Sequence, residues 1–331
     1  MQATFFSFSR LDKKGEFIQF NSYRLVNTEQ SIIKALAYFN IFNYPLKRDE
    51  IYNFLDTNCD KNSFEKTIQS LCDDGVIYRI DEFYSLHKNS SLAERRRAGN
   101  RRAAEQLKIA RKVSRFLYRF PFVKGIAVSG SLSKNYADKN SDIDFFIITT
   151  ANRLWLARTG MHLFKKLTFL TGRQHWFCMN YYIDEQALEI KEKNIFTAVE
   201  VMTVLPLHGN GMFNNFFSAN KWVRTFFPVY QPRINAAEEK RNGFFKSFTE
   251  KIFDNSIGDK LNGLLMNITV KRWKKKAEKQ LRSYSGELMG LDGGRHYAKP
   301  DPANFQKKIL HRYEKETEAL MMRLERVKLA N

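Results

Sequence analysis

Asp142 and Asp144 stand one residue apart in the stretch SDIDFFIITT, and ten residues separate Asp142 from the Gly130-Ser131 pair upstream. In a strand, side chains at i and i+2 share a face, so the two carboxylates are expected on one side of a sheet. Like charges that close repel unless a cation lies between them. Hard oxygen ligands favour Mg²⁺, or Mn²⁺ in its place, held by one or two carboxylates and completed by water and substrate phosphate oxygens. Gly130 permits close approach of the backbone to a phosphate, and the amides of a turn entering a helix point outward as anion donors. Ser131, Ser133 and Lys134 follow in the same polar connection and complete the expected phosphate-binding set. The plainer reading, a βαβ unit with two incidental surface aspartates, is disfavoured because carboxylates on a buried strand are costly.

The elements that must position these groups are short and apolar. Residues 125–129 (GIAVS) and 143–150 (IDFFIITT) read as buried strands, and residues 175–183 (HWFCMNYYI) as a third. Between the second and third lies NRLWLARTGMHLFKKLTFL, residues 152–170, an amphipathic helix expected behind the site. Further helices are expected over residues 194–207 and 212–227, bounded by Pro206 and Pro228. No GxSxG, HExxH, Walker A or GxGxxG motif occurs.

This order of apolar strand, Gly-Ser turn, and Asp-x-Asp running into a second apolar strand resembles the DNA polymerase β-like nucleotidyltransferase superfamily. The resemblance covers roughly residues 120–185. It implies that Gly130 and Ser131 cradle the β- and γ-phosphates of a nucleoside triphosphate and that Asp142 and Asp144 hold Mg²⁺. Members often add a third carboxylate on a later strand to help activate the attacking hydroxyl. Here the strand candidate at 175–183 holds no acid, with Asn180 in its middle and Asp184 and Glu185 at its end. Asp184 is therefore the expected third catalytic residue beside Asp142 and Asp144. Asn180 is the fallback ligand, since an amide can coordinate but cannot act as a base. Glu200, in a later helix, could in principle reach a metal, although a lone helical glutamate is usually a surface residue. The wider layout is similar to a group of bacterial nucleotidyltransferase-domain proteins with matching segments at Asn152–Arg158 (NRLWLAR) and Ala219–Pro228 (ANKWVRTFFP). Two function classes stay open: a Mg²⁺-dependent enzyme moving a nucleoside monophosphate to an acceptor hydroxyl, and a degenerate relative that binds nucleotide or nucleic acid without turnover.

The chain of 331 residues, 43% hydrophobic, carries a formal net charge of +20. Such an excess favours polyanionic partners, whether nucleic acid, nucleotide or an anionic surface. No membrane span or secretory leader is expected. Cys59, Cys72 and Cys178 form no metal spacing and read as the reduced thiols of a cytoplasmic protein. Residues 1–90 are expected to form a winged-helix-like domain: three amphipathic helices, the third containing Phe64, Ile68 and Leu71, then a hairpin turning at Asp81-Glu82. The third helix is not basic, and Asp73 and Asp74 oppose phosphate contact, so packing or protein contact is its expected use. Residues 91–190 are the nucleotidyltransferase domain with a basic leading helix, and 191–331 a helical C-terminal domain, giving a mixed α+β protein. Residues 94–119 hold ten basic side chains against two acidic ones. Arg95, Arg96, Arg97, Arg101 and Arg102 are the candidate nucleic-acid platform, with a solvated helix face as the alternative. The loop GLDGGRHYAKPDP, 290–302, is read either as a phosphate-closing loop through Arg295, His296 and Lys299 or as mobile surface.

Overall fold

The computed structural model describes residues 19–139, 141–168, 176, 178–233, 243–283, 290–301 and 304–330. The chain divides into two compact units, one holding the residues up to Ala93 together with Arg224–Tyr230 and the chain from Arg312, the other holding Glu94–Val223 and Gln231–His311.

In the first unit, α1 (Gln19–Asn40), β1 (Leu46–Lys47), α2 (Arg48–Asn53) and α3 (Lys61–Asp73) precede the hairpin of β2 (Tyr78–Ile80) and β3 (Phe83–Ser85). The strands form a small antiparallel sheet in the order β1-β3-β2. Asp60 caps α3, accepting the Ser63 amide at 2.9 Å. The expected stripe of Phe64, Ile68 and Leu71 is buried, with Phe39, Leu46, Ile51 and Phe83 in the same small core. Phe54 packs edge-on against Phe227, 5.5 Å between centroids, and Tyr38 packs against Tyr313 at 5.8 Å. The segments 224–230 and 312–330 therefore belong with this unit rather than with a separate C-terminal domain over 191–331.

The second unit is built on a mixed six-stranded sheet. After α4 (Ser91–Leu117) come β4 (Val123–Val128), the one-turn α5 (Gly130–Ser133), β5 (Asp144–Thr149), α6 (Leu154–Thr168) and β6 (Cys178–Asp184). They are followed by α7 (Ile195–Thr203), β7 (Leu205–His208), α8 (Asn210–Ala219), α9 (Phe244–Phe253) and α10 (Ser256–Ser283). The hairpin of β8 (Gly290–Gly293) and β9 (Tyr297–Asp301) and finally α11 (Phe305–Ala330) complete the chain. The strand order is β7-β4-β5-β6-β9-β8. Only β5 and β6 run parallel, joined by the α6 crossover; the other neighbours are antiparallel. Ile143, Phe145 and Ile147 alternate into one core with Val113, Leu117, Trp155 and Tyr182. Phe146 faces the other side, against Phe213 and Phe216 of α8.

Three regions differ from the expectation, the first being 212–227, where α8 ends at Ala219 and a 3-10 turn over Lys221–Thr225 follows. Residues 194–207 are not one helix: α7 ends at Thr203, and LPLH becomes the edge strand β7, where Pro206 sits opposite Ala127. A proline is admissible there because an edge strand has amides that no neighbour needs. Within the expected 290–302 loop, residues 290–301 are a hairpin added to the sheet, with Ile183 opposite Tyr297. Arg295 Nε donates to Asn152 Oδ1 at 2.7 Å, and Lys299 pairs with Glu192 at 2.6 Å. Those side chains fix the hairpin to its neighbours.

That hairpin decides the role of Asp184. Its side chain is wholly buried and accepts the Asn152 amide at 2.9 Å and the Gln186 amide at 3.1 Å, while His296 Nδ1 lies 2.9 Å from Oδ2. In the sheet register Asp184 lies opposite Thr149 and Cys178 opposite Asp144. Asp184 thus sits five residues along the strand from Asp144, about 16 Å at ~3.3 Å per residue. The expectation that it supplies the third catalytic carboxylate is corrected: it organises backbone at the opposite end of the sheet. Asp184→Ala should lower unfolding free energy by about 3–5 kcal/mol, because buried donors lose their acceptor. Denaturant titration checks this, and turnover per folded molecule should be nearly unchanged.

Candidate active site

The C-terminal end of β4 and the start of β5 bring the motif together. Ser129 donates its amide to the Asp144 carbonyl at 2.9 Å, so the chain leaves β4 beside Asp144. Gly130 then adopts φ +66°. A Cβ at Gly130 would lie 2.6 Å from Asp144 Oδ2, so any side chain there would collide with the carboxylate. Alternation along β5 puts Asp144 on the side away from Ile143 and Phe145, and Asp142 is near enough for its charge to act on Asp144.

Glu200 completes the cluster from α7. One oxygen accepts the Gly130 amide at 3.3 Å and the other accepts Lys134 Nζ at 2.7 Å, while Lys134 also donates to the Gly130 carbonyl at 3.0 Å. Two features bring it there. β7 pairs with β4, Leu205 opposite Val128, which sets the end of α7 beside Gly130. Asn194 caps the helix start, accepting the Thr197 amide at 3.0 Å. Arg233 ties α5 to the end of α7, donating to the Ser133 carbonyl at 2.9 Å and the Thr203 carbonyl at 3.4 Å. In the sequence Glu200 reads as a helical glutamate able to reach a metal but more commonly found at the surface; the signal for the first reading is its place in a helix whose other residues are largely apolar, which leaves it half-buried.

Burial pushes the Asp144 carboxyl up to about 6, and the charges of Glu200 and then Asp142 push the same way. A hydrogen bond from Cys178 and the charge of Lys134 offset part of the rise. Glu200 exerts the larger of the two like-charge effects. Burial in turn raises the Cys178 thiol to about 12, so it stays protonated as a donor. Crowded carboxylates, with Asp144 raised in proton affinity, are the setting a divalent cation relieves. No group of three or more His, Cys, Asp or Glu side chains among the described residues is arranged to ligate one ion. Two carboxylates nevertheless fit Mg²⁺, which takes its remaining ligands from water and phosphate.

The other expected residues divide. Ser131 is exposed and available to a phosphate. Ser133 is corrected: it is buried, its hydroxyl donates to the Gly130 carbonyl at 2.8 Å and it faces Thr203 Oγ1 at 3.4 Å, so it braces the turn. Lys134 is at the site but paired to Glu200. Asn180 falls in a register shift between Met179 and Tyr181, with its side chain exposed. The arginine platform is also reduced. Arg96 is fully buried with Nε on Asn100 at 2.9 Å, and Arg95 pairs with Asp138 at 3.2 Å over the Tyr136 ring. α4 instead scaffolds the connection carrying the motif: the Gly99 carbonyl accepts the Ala137 amide at 3.2 Å, and Gln106 donates to the Ser141 carbonyl at 3.1 Å.

Residues 107–204 match the family model described as a nucleotidyltransferase domain, a span that takes in Gly130, Asp142, Asp144 and Glu200. This part of the chain is a nucleotidyltransferase domain of the polymerase β-like superfamily. No curated protein and no solved structure matches the chain.

The raised Asp144 carboxyl gives a signed pH dependence. Between the ordinary aspartate range and about 6, the folded protein holds a proton that the unfolded chain has lost, so stability falls as pH rises through that window and levels off above it. Asp144→Asn removes this contribution. Without added metal at pH 8, the variant should be more stable than the parent by on the order of 2 kcal/mol, and the difference should vanish near pH 4. Thermal melts of both proteins from pH 4 to 8 test it.

Proposed function

We propose that this chain is a Mg²⁺-dependent nucleotidyltransferase that moves a nucleoside monophosphate from a nucleoside triphosphate to an acceptor hydroxyl. The observation that carries the reading is the meeting of Asp144 and Glu200 at the Gly130 turn, with Lys134 bonded to Glu200 and Asp142 close enough for its charge to act on Asp144. Asp142 and Asp144 would hold the metal, which when bound neutralises the phosphate oxygens and orients the α-phosphorus for in-line attack. Gly130 allows the triphosphate close to the backbone, and Ser131 offers an exposed hydroxyl. Lys134, at present on Glu200, supplies the cation that follows the charge of the departing pyrophosphate. Glu200, once released from Lys134 and the Gly130 amide, accepts the acceptor's proton. The acceptor oxygen then bonds to the α-phosphorus as the bond to the bridging oxygen breaks and pyrophosphate leaves with its electron pair.

A second reading, nucleotide binding without turnover, is favoured by one observation: β6 presents the Cys178 thiol, not a carboxylate, beside Asp144. The N-terminal unit is read as winged-helix-like and suited to protein contact, since α3 ends at Asp73 and Asp74.

Incubation with each labelled nucleoside triphosphate and Mg²⁺ or Mn²⁺ should release pyrophosphate and label an acceptor. Asp142→Asn and Asp144→Asn should each reduce turnover by about 10³-fold or more, as expected when metal-centred stabilisation of the transition state is lost. Metal-dependent binding with no pyrophosphate from any nucleotide would select the second reading. Glu200→Gln separates the roles further. As a proton acceptor, Glu200 should on replacement lower kcat by about 10²–10⁴-fold while triphosphate affinity is kept or improved, because Lys134 and the Gly130 amide no longer have a carboxylate competing for them.

A further inference from the structure

Helix α9 is mounted the wrong way round for a surface helix. Its inward side is polar: Lys246 is buried, donating to the Val123 carbonyl at 2.5 Å and the Tyr118 carbonyl at 3.2 Å, with its ammonium 4.4 Å from the Tyr118 ring centroid. One turn on, Glu250 accepts the Phe122 amide at 2.7 Å. These two side chains cap loose backbone groups where α4 ends and β4 begins, and only Phe253 reaches the core. The opposite side is apolar and faces water. Phe244, Phe248 and Ile252 recur at helical spacing, with Phe245 beside them, and are 87%, 54%, 47% and 71% exposed respectively. Phe244 and Phe248 stack on each other, centroids 6.0 Å apart and planes 14° apart. Ile257, 68% exposed, carries the stripe onto α10. An ordinary surface helix turns such a stripe inward, and contiguous exposed apolar area of this kind marks an interaction site.

The surrounding charge says what kind of surface it meets. Lys251 is exposed on α9, and Arg115 and Arg119 are exposed at the end of α4, beside the Tyr118 carbonyl that anchors Lys246. Among the described residues, Glu250 accepts the Phe122 amide, and the exposed Asp254 and Asp259 share the single buried Arg153. Lys251 lies on a chain whose net charge is +20, which favours an anionic surface. A second copy of a chain carrying +20 would be repelled. A nucleic acid offers phosphates but no apolar phase for Phe245, Ile252 and Ile257. An anionic bilayer offers both.

We propose that the α9 stripe is a peripheral membrane-binding surface, its phenylalanines entering the boundary between headgroups and acyl chains while Lys251 and Arg119 meet anionic headgroups. It lies on the membrane rather than across it; among the described residues no helix is long and apolar enough to span one. The inference is independent of the nucleotidyltransfer reading, since it uses neither the metal nor the Gly130 turn.

The test is sedimentation of the full chain with vesicles of equal parts phosphatidylglycerol and phosphatidylcholine, beside pure phosphatidylcholine. The parent should co-sediment with the anionic vesicles, less so as salt rises, and weakly with the neutral ones. Phe244→Ser with Phe248→Ser, and separately Phe245→Ser with Ile252→Ser, should each weaken vesicle binding by at least about tenfold without lowering the melting temperature, because these side chains are exposed. Lys251→Glu with Arg119→Glu should weaken binding only to the anionic vesicles. No binding by the parent to anionic vesicles at low salt overturns the proposal, as does equal binding by the parent and both apolar variants. A parent dimer in light scattering that the phenylalanine variants dissociate would assign the stripe to a second copy instead, and single-stranded RNA binding lost in those variants would assign it to nucleic acid.

Discussion

The crowding of negative charge at the start of β5 is the constraint around which the nucleotidyltransferase unit is arranged. Asp144 is largely removed from water, with Asp142 and Glu200 close enough to raise its proton affinity and Lys134 answering only part of that charge. Such a cluster is unfavourable in isolation and persists only because the surrounding structure over-determines it. Gly130 gives up its side chain so that the turn can lie against the carboxylate. Glu200 is anchored by the Gly130 amide, and the thiol of Cys178 donates from the neighbouring strand. Each neighbour either tolerates the charge or hydrogen-bonds to it.

The sheet separates this strained end from a stabilising one. Where β5 and β6 begin, polar groups are close together and incompletely neutralised. Where they finish, the buried Asp184 receives two backbone amides and His296. Asp184 is wholly buried and met by amide donors, whereas the half-buried Asp144 sits among like charges, so two aspartates on adjacent strands play different parts. α4 shows a related division along one helix: Arg96 is drawn inward to Asn100, while Gly99 and Gln106 hold the connection that leads to Asp142.

Local pattern made the first half of the site readable. The Gly130 turn, the two aspartates and the strands that carry them lie within one stretch of chain, and the alternation of Ile143, Phe145 and Ile147 suffices to place them. The hairpin at Asp81-Glu82 and the stripe of α3 were equally plain. What the sequence concealed depends on pairing between distant segments. Glu200 becomes part of the site only because LPLH adds to β4, and Pro206 disguises that strand. The hairpin at 290–301 reads as loop because Gly, Asp and Pro are strand breakers, yet it pairs along the edge of β6 and turns Asp184 from a candidate ligand into a structural acceptor. Arg96 was counted with its charged neighbours, although helical periodicity alone cannot say which arginine of a run faces inward.

The strand order has a consequence for how the protein is made. Apart from Arg233, everything that shapes the proposed site, from α4 through β7, is present once the chain has been synthesised to His208. The outer edge of β6 has to wait for β9, whose first residue is Tyr297. During that interval, several seconds or more at ~5–20 residues per second, the nascent sheet carries an open edge beside a half-hydrated Asp184. An unprotected edge strand is a template for intermolecular pairing, so the late hairpin acts as a lock on solubility during biogenesis. Chains that stall before it is synthesised would be those most prone to aggregate.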